Sequence, residues 1–342
     1  MARAVAAAGS DGETRPMQRF EVLSEEEQVE RYRGLAQKAL LAYGLSCDLK
    51  YVGQGTSTVF RALPSGGSLA VRIGKAGQDL TPLHRELLWL AALGRDTSLA
   101  VPEPLLTLRG DLFRSVSMEG VPGTRPCSVL LWVDGERREA ELTPDEVTAM
   151  GILVASLHLH AERFRWPEEI APPCEDAASR AFAACDGLRS ILLGPGDPSL
   201  LADAAALIAD AVPSLADIGP IHGDLRLRKL RLNEGVAGIL GFDRCRAGTD
   251  LEDLSLLWAE LGGRRSAAEL REALLDGYRS VRPLPTAPDV PLQAFGALRA
   301  LENAVRSLDA LRRERRSKGE AAEAIATDLR RALLDILRPT DA

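Results

Sequence analysis

The stretch that decides the fold is I-H-G-D-L-R-L-R-K-L-R-L-N, residues 221–233, followed by V-A-G-I-L-G-F-D, residues 236–243. A loop that contains His222 and Asp224 precedes an apolar strand, and a turn leads into a second apolar strand with Asp243 at its end. Helical patterns surround this short non-helical segment on both sides. The segment therefore stands out as the place where the chain carries residues capable of chemistry.

The N-terminal side of this segment alternates short apolar runs with glycine-rich turns, a texture typical of antiparallel strands. The expected strands are 48–52, 58–62, 68–73, 105–108 and 128–133, with a helical pattern over 81–93 among them. A helix is expected before them, because Ser24 and Glu27 have the spacing of a capping box. Residues 1–18 show no periodicity and are expected to be a disordered tail.

The C-terminal side is dominated by helical periodicity. Thr143, Pro144 and Glu146 form the pattern of a helix start. Further helical patterns cover 199–212, 251–261, 267–281, 292–314 and 320–337. A small β-rich half followed by a larger helical half predicts an α+β fold of two lobes, with residues 19–133 in the N-terminal lobe and 134–342 in the C-terminal lobe.

Composition narrows the classes of protein further. The chain has 342 residues, of which 46% are hydrophobic and 27% charged, as in a globular protein of about two domains. Its net charge of −7 argues against binding nucleic acid through overall charge. Its five cysteines form no C-x-x-C pair, and no apolar run approaches the ~18 residues of a membrane span. We therefore expect a cytoplasmic protein with neither nucleic-acid nor membrane partners.

The order of motifs along the chain resembles the aminoglycoside phosphotransferase family, especially the branch that includes the type II homoserine kinases. The catalytic loop and metal motif of that family are similar to His222-Gly223-Asp224-Leu225, Phe242-Asp243, Cys245 and Asp253-Leu254. In the N-terminal half the matching stretches are 69–72, 86–90, 101–104 and 130–135. The resemblance covers residues 24–335 and implies a two-lobed protein-kinase-like fold that binds ATP between its lobes.

The resemblance also implies a role for each matching residue. Asp224 would be the catalytic base, and Asp253 would hold its loop by accepting hydrogen bonds, with His222 as a structural residue. The nucleotide-binding residues implied in this way are Gly53, Gly55 and Ser57 over the phosphates, Arg72 with Glu86 as the phosphate anchor, Trp132 and Val133 in the hinge, and Lys229.

The departures from the family pattern concern the metal. Position 229 is Lys where the family has Asn, and position 241 is Gly where the family has the metal-binding Asp. Asp243 is then the one remaining candidate ligand for Mg²⁺. Lys229 is expected to place its ammonium near Asp224 or near a bound phosphate, and to lower the pKa of Asp224.

Three functions remain open from the sequence. The first is an ATP-dependent phosphotransferase that acts on a hydroxyl of a small molecule or a peptide, with an altered metal site. The second is a pseudokinase that acts as a binding or scaffolding module. The third is a specialised peptide kinase of natural-product biosynthesis that works with a partner protein. The C-terminal helices carry no readable acceptor motif.

Overall fold

The computed structural model describes residues 19–137, 141–189, 191, 194, 196–212, 218–233, 235–314 and 318–337. The tail predicted at residues 1–18 lies outside them. The chain divides into two compact units, of which the first runs to Gln78 and includes Leu105–Trp132. The second comprises Asp79–Pro104 and the chain from Val133 onward.

The first unit is built on a five-stranded antiparallel sheet. Its strands are β1 (Leu49–Gln54), β2 (Thr58–Ala62), β3 (Leu69–Ile73), β4 (Arg114–Met118) and β5 (Val121–Leu131), in the order β1-β2-β3-β5-β4. Helix α1 (Glu25–Leu40) begins after Ser24, whose hydroxyl accepts a hydrogen bond from Glu27 N at 3.3 Å. The Glu27 carboxylate accepts one from Ser24 N at 2.8 Å, which confirms the predicted capping box.

The two faces of this sheet carry different side chains. Phe60, Val71 and Val129 are fully buried in the core that the sheet forms with α1. Successive residues of a strand point to opposite faces, and paired residues share a face. The strand pairing therefore places one set of residues together on the other face: Val59, Ala70, Arg72 and Ser128.

The second unit is mainly helical. Its helices are α2 (Thr81–Asp96), α3 (Pro144–Ala161), α4 (Ala177–Leu188), α5 (Asp197–Ala211), α6 (Asp250–Gly262), α7 (Ala267–Arg279), α8 (Asp289–Glu314) and α9 (Lys318–Leu337). Its strands form two antiparallel pairs, β6 (Gly219–Ile221) with β9 (Arg246–Gly248) and β7 (Leu230–Asn233) with β8 (Val236–Ile239). The capping box predicted for α3 is present, since Thr143 Oγ1 accepts from Glu146 N at 3.2 Å.

Helix α2 has its contacts in the second unit, although the sequence analysis assigned it to the N-terminal lobe. The physical reason is an aromatic cluster around Trp89, whose side chain is fully buried. Its ring packs edge-on against Trp166 and Phe242, with ring centroids 5.9 and 5.4 Å apart. The Trp166 indole N–H also donates to the carbonyl of Arg85 at 3.0 Å.

The predicted α+β architecture is confirmed, and two local predictions need correction. The strand predicted at 105–108 is wrong, because the chain turns there: Thr107 Oγ1 accepts a hydrogen bond from Asp111 N at 3.0 Å. The strand of this region is β4, whose alternating pattern is weak because it is mostly exposed. Helix α4 was not predicted, although Asp176 caps it by accepting a hydrogen bond from Ser179 N at 2.8 Å. Among the described residues, none of the helices combines the length and the apolarity that crossing a membrane would require.

Candidate functional site

The loop after β6 is fixed by a buried carboxylate on α6. Asp253 accepts hydrogen bonds from the backbone N–H groups of His222 at 2.6 Å and Gly223 at 2.8 Å. Gly223 has φ +76°, and a Cβ there would collide with the carbonyl oxygen of Arg244, so glycine is required. Asp253 therefore positions the loop, as its place in the sequence predicted.

His222 is a structural residue of the same loop. Its Nε2 lies 3.0 Å from the carbonyl oxygen of Leu240, and its Nδ1 accepts from Asp224 N at 3.2 Å. These partners select the neutral tautomer with the proton on Nε2. Burial lowers the pKa of His222 despite the nearby Asp253 carboxylate. A neutral, fully buried imidazole linking two backbone groups holds Asp224 in place and takes no proton itself.

Asp224 is clamped by arginines at both carboxylate oxygens. Arg226 Nε lies 3.1 Å from its Oδ1, and Arg228 Nη2 lies 3.0 Å from its Oδ2. Burial by itself raises the pKa of Asp224, but the hydrogen bond from Arg226 and the charges of Lys229 and Arg228 outweigh it, so the net pKa is lowered. Asp224 is thus an ionised hydrogen-bond acceptor with reduced strength as a base.

Lys229 places its ammonium among acceptor oxygens of this loop. Its Nζ lies 3.4 Å from Asp243 Oδ1, 3.9 Å from Asp224 Oδ2 and 3.3 Å from the carbonyl oxygen of Gly241. The approach to Asp224 agrees with the expectation from sequence. A Cβ at position 241 would lie 2.8 Å from Lys229 Cδ and would collide with Nζ. The lysine therefore fills the space that a side chain at position 241 would need.

The donors at this position do not fit a magnesium ion. Mg²⁺ requires octahedral oxygen donors at about 2.1 Å, and it commonly takes one or two carboxylates. Here Lys229 already lies between the two candidate carboxylates, Asp224 and Asp243. We therefore derive no step through a metal, and the role of Asp243 visible here is to pair with Lys229.

The predicted nucleotide-binding residues fall in both units. In the first unit, Gly53 lies in β1 opposite Val59, and Gly55 and Ser57 lie in the β1–β2 turn, where Gly55 N donates to the carbonyl oxygen of Ser57 at 3.0 Å. Arg72 lies on β3, on the sheet face opposite α1. Trp132 follows β5 and lies under the guanidinium of Arg61, 4.5 Å from the ring centre.

The remaining two candidates belong to the second unit. Glu86 is buried on α2, with 1% of its surface exposed, and Val133 begins the segment that follows β5. The pairing of Arg72 with Glu86 stays a prediction, as do the nucleotide-binding roles of all these residues.

The sequence analysis missed part of the site. Arg226 and Arg228 stand in the stretch that opens the sequence analysis, but they were not identified there as partners of Asp224. Glu260 on α6 was not noted, although its carboxylate accepts from Leu227 N at 2.8 Å and lies 3.2 Å from Arg226. The alternation of arginines after Asp224 was the available signal, since a run of basic residues beside a single acid indicates local charge pairing.

Comparison with known proteins identifies the family of the chain. The family model described as the phosphotransferase enzyme family matches residues 48–290. The chain is 28% identical over 281 residues to an uncharacterized protein of Deinococcus radiodurans, covering 78% of this chain and 76% of that protein. That relative extends over both units of the structure.

Solved structures share the fold. An amicoumacin kinase in complex with AMP-PNP and Ca²⁺ superimposes with a TM-score of 0.68 at 18% identity, covering 91% of this chain and 96% of that chain. A microcompartment-associated aminopropanol kinase gives 0.67 at 23% identity, covering 88% and 95%. Wild-type aminoglycoside 2'-phosphotransferase-IIIa gives 0.66 at 16% identity, covering 90% and 97%. Because the family model matches well over half of its length, the chain belongs to the phosphotransferase enzyme family.

Proposed function

We propose that this protein transfers the γ-phosphoryl group of ATP to a hydroxyl group of a small molecule. The observation that carries the proposal is the loop of Asp224, which Asp253 and His222 hold in a defined conformation within a member of this family. Phosphoryl transfer depends mostly on positioning and on neutralising charge. A loop fixed by a buried carboxylate serves the first of these needs.

Asp224 retains the capacity to receive the acceptor hydroxyl. A carboxylate offers about four lone-pair directions. Arg226 uses one at Oδ1, and Arg228 uses one at Oδ2, which Lys229 also approaches at 3.9 Å. Oδ1 is therefore the oxygen that we assign to the substrate. The hydroxyl oxygen bonds to the γ-phosphorus while the bond from that phosphorus to the bridging oxygen of ADP breaks. The hydroxyl proton passes to Asp224 and then to solvent.

The lowered pKa of Asp224 is compatible with this step. In a loose transition state the bond from the attacking hydroxyl to phosphorus is barely formed, so the hydroxyl loses its proton late and its orientation matters more than the basicity of Asp224. Lys229 neutralises phosphate charge in our proposal. Its ammonium acts as a point charge and lacks the fixed coordination geometry of an ion.

The sheet of the first unit supports nucleotide binding. The face opposite α1 carries the small Ala70 and the apolar Val59 beside Arg72, a combination that suits a base and its phosphates. Arg72→Ala should weaken ATP binding about tenfold while changing the free energy of unfolding by less than about 1 kcal/mol. Arg114→Ala, at an exposed arginine of the same sheet, is the matched control. Equal ATP affinity in both variants, measured by calorimetry, would remove Arg72 from the proposed site.

A second candidate function, nucleotide binding without transfer, is favoured by the two arginines on Asp224. The test is acceptor-dependent release of ADP across a panel of small hydroxyl compounds. Asp224→Asn should lower the rate about 100-fold or more, whereas Asp186→Asn, at an exposed aspartate of α4, should not. ATP binding with no ADP release for any acceptor would favour the second candidate. Release unaffected by Asp224→Asn would refute the role given to Asp224.

A further inference from the structure

An arginine-lined pocket adjoins the Asp224 loop within the second unit. It has a volume of about 460 Å³, within the range of small-molecule sites, and Gly223, the neighbour of Asp224, forms part of its wall. We call it the arginine pocket, after the six arginines that line it: Arg85, Arg180, Arg244, Arg246, Arg299 and Arg306. Two carboxylates, Glu175 and Glu302, line it as well.

One arginine of the pocket has a structural role. Arg180 on α4 reaches Glu252 on α6 at 3.0 Å and Glu302 on α8 at 2.6 Å, so it ties three helices together. Its side chain is only 11% exposed. Glu252 and Glu302 are therefore already ion-paired, and Arg180 neutralises much of the negative charge near the pocket.

The same two carboxylates must also serve the other arginines. Arg246 contacts Glu252, and Arg299 lies 3.3 Å from Glu302. Arg306 is 3.8 Å from Glu302. Each carboxylate is therefore shared by two or three guanidinium groups, and positive charge remains in excess.

The excess positive charge includes a largely buried arginine, Arg299, where water screens charge least. Arg299 is 11% exposed, and burial together with the charges of Arg246 and Arg306 lowers its pKa to about 10 although Glu302 raises it. The pKa of Arg306 is lowered as well, by burial and then by the charge of Arg244. Burial is the larger cause of both shifts, and the neighbouring guanidinium groups add to it, in keeping with the excess of arginines over carboxylates.

Two further arginines of the pocket, Arg244 and Arg85, are not held by the carboxylates described above. Arg244 is exposed and has no carboxylate partner among the described residues. Arg85 donates from Nε to the carbonyl oxygen of Ile170 at 2.9 Å, which fixes the plane of its guanidinium. Planar guanidinium groups in a region of excess positive charge are suited to donate paired hydrogen bonds to the oxygens of a carboxylate or a phosphate.

We infer that the arginine pocket binds an oxyanion group, a carboxylate or a phosphate, of the hydroxyl compound that receives the phosphoryl group. The inference rests on the proposed function, because it places the anion beside Gly223 and the reacting hydroxyl at Asp224. The arrangement distinguishes this chain from a kinase for a cationic amino alcohol, since six arginines would repel an ammonium group. The acceptor class is thus an anionic hydroxy compound.

The direct test is a binding measurement on the full chain without nucleotide. Four probes at matched ionic strength separate the possibilities: glycerol 3-phosphate, D-glycerate, glycerol and 1-amino-2-propanol. We expect one of the two anions to bind and the neutral and cationic compounds not to bind. The anion that binds more tightly identifies the group as phosphate or carboxylate.

Variants locate the binding in the pocket. Arg244→Gln with Arg306→Gln removes two arginines that do not hold helices together, and we expect it to weaken binding of the anion at least about tenfold. Arg279→Gln is the matched control, because Arg279 on α7 has 38% exposure, close to the 40% of Arg306. Equal affinity of the double variant and the control would overturn the inference.

Two other outcomes would also overturn it: equal or tighter binding of 1-amino-2-propanol or glycerol, and loss of anion binding when ADP saturates the protein. The second would assign the pocket to the phosphates of the nucleotide. The proposed function fails by a different result, the absence of ATP binding or of transfer to any acceptor. Because the binding of the anion to the protein alone requires neither ATP nor transfer, the two failures are distinguishable.

Discussion

The two charged regions beside Gly223 differ in how completely the protein neutralises them. The region around Asp224 contains three acidic and three basic side chains. The acids are Asp224, Asp243 and Glu260, and the bases are Arg226, Arg228 and Lys229. In the arginine pocket, six arginines face Glu175 and Glu302, with Glu252 beside them. The charges of the first region balance without an added ion, whereas a bound anion would offset the excess positive charge of the second. The comparison teaches that one region pairs its charges within the protein, with Lys229 between Asp224 and Asp243, whereas the other keeps more guanidinium groups than carboxylates.

The largest effect is expected from removing a carboxylate of the unbalanced region. Glu302→Gln leaves Arg180 and Arg299 with too little negative charge in a buried setting, and we expect a loss of about 3–5 kcal/mol in the free energy of unfolding. Glu260→Gln in the balanced region should cost about 1 kcal/mol. Denaturant unfolding of both variants checks the difference, and equal losses would contradict the comparison.

We expect the loss of stability at low pH to depend on the same carboxylate, that of Glu302. The Arg180 and Arg299 charges lower the pKa of Glu302 although burial raises it, so its pKa is below the unfolded value. Its contribution to stability is then present above the unfolded pKa of about 4.3 and is lost as the pH falls below it. Glu302→Gln should therefore flatten the acid limb of the stability curve.

A change at position 241 tests how tightly Lys229 fills the balanced region. Gly241→Asp forces a side chain against Lys229 at a residue with φ +78°, and we expect a loss of about 2–3 kcal/mol. Lys229→Asn removes the obstacle, so the double variant should recover part of that loss. Strictly additive effects in thermal unfolding would show that Lys229 does not occupy this space.

The pH dependence of stability near neutrality tests His222. Burial keeps its pKa below the unfolded value of about 6.5, so the folded state favours the neutral ring. Its contribution is present above pH 6.5 and is lost as the pH falls below it, by about 1.4 kcal/mol per unit of pKa difference. His222→Asn should reduce this dependence. An unchanged slope in His222→Asn would contradict the assignment.

The smallest effect on stability is expected at the edge of the balanced region. Arg228 is 46% exposed, so Arg228→Gln should change the free energy of unfolding by less than about 1 kcal/mol. It should still raise the pKa of Asp224, because one of the cations that lower that pKa is lost. Nuclear magnetic resonance titration of the carboxyl carbon measures this directly, and an unmoved pKa would show that Arg228 does not act on Asp224.

Much of the fold could be predicted from local sequence signals. Capping boxes at Ser24 and Thr143, glycine-rich turns and the loop at 222–224 each depend on residues a few positions apart. The position of Lys229 beside Asp224 followed from their spacing in the same way. Helix α2 differs, since its attachment depends on Trp89 meeting aromatic residues far along the chain.

The arginine pocket could not be predicted because its residues come together only in the folded chain. Arg180, Arg246 and Arg299 lie on α4, β9 and α8, and no local pattern joins them. A partial signal did exist on α8. Arg299, Glu302 and Arg306 have the spacing of one helix face, which indicated a charged stripe but not its partners.

The most direct test of the central claim is the affinity for ATP in the presence of EDTA, measured by calorimetry with wild type, Lys229→Gln and the control Lys75→Gln. If the Lys229 ammonium neutralises phosphate charge in place of a metal, wild type and Lys75→Gln bind ATP without Mg²⁺. Lys229→Gln should then bind at least about tenfold more weakly. Binding by wild type only when Mg²⁺ is added, with the same affinity in Lys229→Gln, would contradict the account.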